Sequence, residues 1–186
     1  MFTYFGYFIG AAIRSEQALP LDLAPIFWKL LIDETDLESE AEREMDLKSF
    51  DTYSWQVIKD LRDNTKDLSE EDFDSVIDEY FVTLLSNGKE VELIPGGRNV
   101  KVTKANIEEY IRLVVNARIN ESQKQMKAIK DGVNFVLNLN IVRFLNATQI
   151  EARATGSKTL DVAKLKQITT YEVRVPIFIS IGCISD

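Results

Sequence analysis

"ELIPGGRNVKVT", residues 92–103, decides how this chain is read. A glycine pair beside Arg98 could cradle a phosphate, or it could be a tight turn. Phosphate loops place their glycines in GxxxxGK[ST] or GxGxxG before a helix N-terminus, where converging N–H groups meet the anion. Here Gly96 and Gly97 are adjacent, no Lys-Ser/Thr follows, and "NVKVT" (99–103) reads as a strand. The stretch is therefore read as a turn. Pro95 presets position i+1 and Gly96 takes the positive φ that a type II turn demands at i+2.

Working outward, "YFVTLL" (80–85) and "EVELI" (90–94) are short, β-branched and roughly alternating. Asn87-Gly88 between them is a strong hairpin signal. Downstream, Thr103 is expected to cap a helix with Ile107, Tyr110, Ile111, Val114 and Arg118 on one face. Met126, Ile129, Val133 and Val136 form a further helical stripe. Asn146 to Gln149 reads as a capping box that Gly156 would close, and 161–169 as one more short helix.

Upstream, Phe5, Phe8, Ile9, Ala12 and Ile13 predict a buried helical face that ends by Pro20. Asp22 could cap a second helix with Pro25 in its first turn and Leu23, Ile26, Phe27, Leu30 and Leu31 inward, leaving Trp28 and Lys29 on the flank. The first 13 residues are apolar or small, but a bilayer span takes about 20. No basic segment precedes them, so neither a secretory signal nor membrane insertion is expected. Gly6 and Gly10 form a GxxxG, read here as close packing of a buried helix. The acidic run 33–46 contains eight carboxylates and Arg43. Its spacing is not that of a calcium loop, so it reads as a solvated linker or helix face and no metal is expected. A short helix around 53–61 follows. Ser69 then caps another, with Phe73, Val76, Ile77 and Phe81 at near-helical spacing.

Composition narrows the function classes. The 186 residues carry a net charge of −8, 45% apolar residues, one cysteine and no histidine. A net negative chain argues against nucleic acid as partner. Without histidine, Ser-His-Asp and Cys-His catalysis and His-ligated zinc are excluded. One cysteine permits no intrachain disulfide and suggests a reducing compartment.

Three segments resemble one family: "LPLDLAPIFWKLL" (19–31), "VELIPGGRNVKVTKANIEEYIRLVVNARIN" (91–120) and "IEARATGSKTLDVAKLKQITTYE" (150–172). Their order and spacing are those of the HECT-type ubiquitin ligase domain, and the middle segment is the most specific. Leu93 to Asn99, Val102-Thr103, Asn106 and Glu109-Tyr110 match it position by position. The resemblance covers about residues 2–172. It implies an α+β, mainly helical amino-terminal lobe. Residues 34–118 would form a small α/β docking subdomain with a short antiparallel hairpin. Residues 1–33 and 119–171 would form the larger helical subdomain, leaving 172–186 as an atypical tail.

The partner so implied is a ubiquitin-conjugating enzyme, with ubiquitin met indirectly. No cofactor is implied. Tyr110 aligns with an aromatic in the groove that receives the conjugating enzyme; core packing of its helix is the alternative, and docking is favoured because interface anchors favour Tyr. Ile77 and Phe81 would line that groove and Trp55 would lie near it. Pro95, Gly96 and Gly97 are structural. The family's nucleophile lies in a separate carboxy-terminal lobe, in a Thr-Cys-Phe context. Cys183 sits in "IGCISD" with no histidine or basic cluster to lower its pKa, so it is not expected to be catalytic. The apolar tail suggests a truncated or misjoined product. Ala154-Thr155-Gly156 also departs from relatives with an apolar residue and a cysteine before the glycine.

The chain thus reads as the docking part of a ubiquitin ligase, inactive alone. The alternatives are a non-catalytic module that occupies conjugating enzymes, or a fragment that does not fold stably. A cytoplasmic location is expected, with the nucleus left open.

Overall fold

Helix α1, Phe2–Ser15, is apolar enough to be buried on one face but is too short to span a bilayer. Among the described residues no helix is long and apolar enough for that. Its packing explains the glycines. In this computed structural model Gly6 and Gly10 lie against α7, Gln123–Val136. A Cβ on Gly6 would land on the Ile129 carbonyl oxygen, and one on Gly132 would land on that of Thr3. Each helix therefore presents bare backbone to the other, and Ile9, Ile13, Met126, Ile129 and Val133 close around the crossing. The expected α1 face shifts accordingly. Phe8 is 65% exposed, because the glycines rather than the aromatics take the contact.

The structure describes residues 1–34, 39–142, 144–156 and 162–170. The chain divides into two compact units, 1–156 and 157–186. The described part of the second contains α10, Val162–Ile168. Cys183 and the 172–186 tail lie outside the described residues.

Two apolar clusters fill the first unit. The first unites α1 and α7 with Trp28, Leu31 and Ile32 and with Leu139, Val142, Ala147, Ile150 and Ala154. The second is built from Ile26, Leu47, Ile58, Phe73, Phe81, Val102 and the inner face of α6, Ile107–Asn120. Helix α2, Pro25–Leu31, contributes to both. Trp28, expected on its flank, is fully buried in the first cluster, and Lys29 reaches across to Asp46 at 2.8 Å. Asp22 does not cap α2; Ala24 stands at its N-cap without a side-chain hydrogen bond.

The helical part of the acidic run is solvated only in part: Glu40 and Glu42 are exposed, Glu44 is half-buried and Asp46 is buried. Ser39 opens α3, Glu40–Phe50, with a capping box closed by Glu42, a hydrogen bond that also lowers the Glu42 carboxyl pKa. Asp46 is buried against Lys29, and Glu44 meets Arg62 at 2.8 Å. Helix α4, Thr52–Thr65, is longer than expected, because Asp51 caps it by accepting from Ser54 N–H. Helix α5, Glu70–Val76, is capped by Ser69 as expected, but ends before Ile77.

The sheet is a single antiparallel pair, β1 (Val82–Leu84) with β2 (Glu90–Glu92), in register Thr83 to Val91. Between the strands, Gly88 N–H donates to Leu85 O and Leu85 N–H to Lys89 O, the turn expected at Asn87-Gly88. "NVKVT" does not form a strand. Gly97–Asn99 is a 3-10 turn, and only the bridge Tyr80 to Lys101 follows. Thr103 does not cap α6. Its N–H donates to Asn106 Oδ1 at 2.7 Å, and Asn106 is the N-cap residue. Near the chain's end Asn146 and Gln149 form the expected capping box of α9, Ala147–Thr155, which Gly156 closes at φ 84°. The described residues are mainly helical with this small sheet, the expected α+β class.

Candidate functional site

The opening stretch builds the site by fixing one residue, Phe81. Gly97 N–H donates to Ile94 O at 2.9 Å, closing a turn whose third residue, Gly96, lies at φ 74° and ψ 17°. That is a type II geometry, which a residue with a Cβ would strain. Gly97 serves differently: a Cβ there would strike the Phe81 carbonyl oxygen. The close approach lets Phe81 N–H reach the carbonyls of Gly97 (3.1 Å) and Val100 (3.0 Å), while Leu93 N–H donates to Phe81 O at 2.8 Å. Arg98 is not free for phosphate. It pairs with Glu90 at 2.9 Å and Glu92 at 3.5 Å, both on β2.

So held, the Phe81 ring meets the Tyr110 ring edge-on, with centroids 5.6 Å apart and planes at 76°. Both are buried, Phe81 at 2% and Tyr110 at 9% exposure. The Tyr110 hydroxyl points at the Val82 carbonyl at 3.5 Å. Burial, with the nearby Glu79 carboxylate, pushes its pKa up to about 12. Tyr110 is thus a neutral aromatic held rigidly within the second cluster.

The other expected residues fall at the margin of this cluster. Ile77, just past α5, donates its N–H to Phe73 O at 2.9 Å and packs partly buried against the cluster. Trp55 on α4 does the same, with Lys48 Nζ 4.2 Å and Lys59 Nζ 5.5 Å from its ring centroid. Phe81 and Tyr110 are therefore in direct contact, while Ile77 and Trp55 share their core. Leu93 and Ile94, expected at the end of a strand leading into the turn, also pack on this cluster. An apolar pair directly before Pro-Gly-Gly was the signal. Val76, Tyr80, Leu84 and Val100, sequence neighbours of these residues, stay exposed.

Charged side chains brace the region. Arg118 Nε donates to Asp51 Oδ2 at 3.1 Å and its Nη1 to Glu121 at 2.6 Å. Glu121 also accepts from Ser86 N–H in the hairpin turn. One guanidinium thereby ties α6 to the α4 cap and, through Glu121, to the hairpin. Burial pushes the Asp51 carboxyl up, but hydrogen bonds from Ser54 and Arg118 outweigh it and hold the pKa below the usual range. Arg62, hydrogen-bonded by Glu44 and Glu108, is held still more firmly protonated than usual. Among the described residues no group of His, Cys, Asp and Glu could hold a metal ion.

A family model described as HECT-domain (ubiquitin-transferase) matches residues 1–178. The chain is 29% identical over 188 residues to the human probable E3 ubiquitin-protein ligase HECTD4, covering 91% of this chain and 5% of that protein. It is 27% identical over 172 residues to human E3 ubiquitin-protein ligase HERC2, covering 92% of this chain and 3% of that protein. Against Drosophila melanogaster E3 ubiquitin-protein ligase Nedd-4 the identity is 26% over 173 residues, covering 92% and 16%. The chain thus spans a small part of each relative's length. Because the family model covers residues 1–178 of the 186, the chain belongs to the HECT-domain family.

Proposed function

We propose that this chain is the part of a HECT-type ubiquitin ligase that recruits a ubiquitin-conjugating enzyme. Residues 34–118 form the docking subdomain, and residues 1–33 and 119–171 belong to the larger helical subdomain. The division is supported by the two apolar clusters, one centred on α1 and α7, the other on α6 and the hairpin. The observation that carries the docking reading is the rigid Phe81–Tyr110 pair flanked by Ile77 and Trp55, with exposed apolar neighbours at Val76, Tyr80, Leu84 and Val100. A fixed aromatic among apolar surface residues is the make-up of an interface hot spot. The role of this face is to present a preorganised surface, not to transfer a group.

Calorimetric titration with a panel of ubiquitin-conjugating enzymes tests this. At least one should bind, and Tyr110→Ala should weaken it by about 2 kcal/mol or more. Unchanged affinity in a variant that melts cooperatively would remove Tyr110 from the interface. The thioester step belongs, in this reading, to a cysteine other than Cys183. Incubation with activating enzyme, conjugating enzyme and ubiquitin should give no reducible adduct on this chain. An adduct lost in Cys183→Ser would overturn that assignment.

A further inference from the structure

The β1–β2 hairpin is anchored at its base and tethered at its tip by different means. Residues 82–92 are all half-buried or exposed, and among the described residues none of them joins either apolar cluster. The base is fixed by buried Phe81 before one strand and half-buried Leu93 after the other. Three ladder pairs then carry the hairpin outward to the turn at 85–89. From Val82 to Ser86 it reaches about 13 Å from that base. A two-stranded hairpin so short is marginal in water by itself.

Its tip is held by Glu121. Ser86 N–H donates to both carboxylate oxygens at 3.1 Å, and Ser86 Oγ donates to Oε1. Among the described residues no other side chain from outside the hairpin hydrogen-bonds to this turn. Glu121 is not free to follow the turn if it moves. Arg118 Nη1 donates to it at 2.6 Å, and Asp51 holds Arg118 in turn. The Asp51, Arg118 and Glu121 side chains are only 14%, 12% and 19% exposed, so solvent screens this chain of charges little.

Glu121 follows α6 directly and keeps helical dihedrals, φ −55° and ψ −34°. It lies about three helical turns beyond Tyr110, so both side chains leave the same face of the helix. The hairpin is thereby laid along that face. The Val82 carbonyl meets the Tyr110 hydroxyl near the base, and Ser86 meets Glu121 at the tip. Leu84, 63% exposed, stands between these two contacts. We propose that Glu121 is a positioning residue for partner docking: its grip on Ser86 holds the hairpin along α6 and so sets where Leu84 stands beside the Phe81–Tyr110 pair. The part of this that concerns binding rests on the docking reading given above; the tethering of the hairpin does not. A hairpin released at its tip has to be ordered again by each incoming partner, and that ordering subtracts from affinity.

Amide hydrogen exchange and calorimetric titration of the full chain test the proposal, with Glu121→Ala and Glu121→Gln beside the wild type. In Glu121→Ala the amides of residues 82–92 should exchange on the order of tenfold faster, the effect of losing one hydrogen bond to a charged group. Those of Ile9 and Val133 at the α1–α7 crossing should keep their rates. Affinity for a conjugating enzyme that binds the wild type should fall to a similar extent. Glutamine keeps an oxygen that can accept from Ser86 N–H, so Glu121→Gln should recover most of both losses. A merely structural role would instead speed exchange in every segment, and that result would overturn the proposal. So would hairpin exchange left unchanged by Glu121→Ala. Faster hairpin exchange with unchanged affinity, where Tyr110→Ala does weaken binding, would remove the positioning role and leave the docking reading standing. If neither Glu121→Ala nor Tyr110→Ala alters affinity, the docking reading falls and the positioning role with it.

Discussion

The two apolar clusters of residues 1–156 are held together by opposite means. Around α1 and α7 the contact is backbone against backbone, through Gly6, Gly10 and Gly132. Around α6 it is side chain against side chain, framed by the pairs of Arg62 with Glu44 and Glu108 and of Arg118 with Asp51 and Glu121. At the α1–α7 crossing the first cluster has no room for an added methyl. The second is filled by large side chains and suffers most from losing them. The face proposed to dock a partner belongs to the second kind, where rigidity comes from interlocking rings and directional hydrogen bonds.

This contrast can be broken by experiment. The largest expected effect is in the second cluster. Phe73→Ala empties a fully buried ring site and should cost about 3–5 kcal/mol in urea unfolding. Next is Gly132→Ala. It adds one methyl and improves helix propensity by about 1 kcal/mol, yet should still lose about 1–3 kcal/mol net because the methyl meets the Thr3 carbonyl. A neutral or stabilised Gly132→Ala would show that α1 and α7 can slide apart, and the contrast would fail. The smallest is Arg118→Met, about 2 kcal/mol at pH 7, from lost charged hydrogen bonds at a largely buried site. Its pH dependence sharpens the point. Because Asp51 is held below its unfolded value, its contribution is complete above about pH 4 and is lost as pH falls through the folded pKa. The gap between wild type and Arg118→Met should therefore narrow toward pH 3, whereas that for Gly132→Ala should not.

Much of this was legible in the sequence, and the misses have physical causes. Local chemistry read well: the Ser69 cap, the Asn87-Gly88 turn, the Gly96 φ and the Asn146 capping box all appear. What failed depended on distant partners. Phe8 faces outward because glycines decide which side of α1 faces inward, and Trp28, expected on the flank of α2, is buried in the first cluster. The acidic run looked solvated because its cations, Lys29, Arg62 and Arg112, lie in other elements. Ser39-x-x-Glu42 was itself a visible start signal within that run. At the site, the resemblance named Tyr110, but sequence could not say that its ring would rest on Phe81, since that contact depends on the turn bringing Gly97 onto the Phe81 carbonyl.

Helix α2 gives the two clusters a shared fate. Within Pro25–Leu31, Ile26 belongs to one, Trp28 and Leu31 to the other, and Lys29 grips Asp46 on α3. Neither cluster can open at α2 without uncovering the other. Backbone amides on both sides should therefore exchange with solvent in one cooperative event, so a partner captured at the Phe81–Tyr110 face would also slow exchange in α1 and α7.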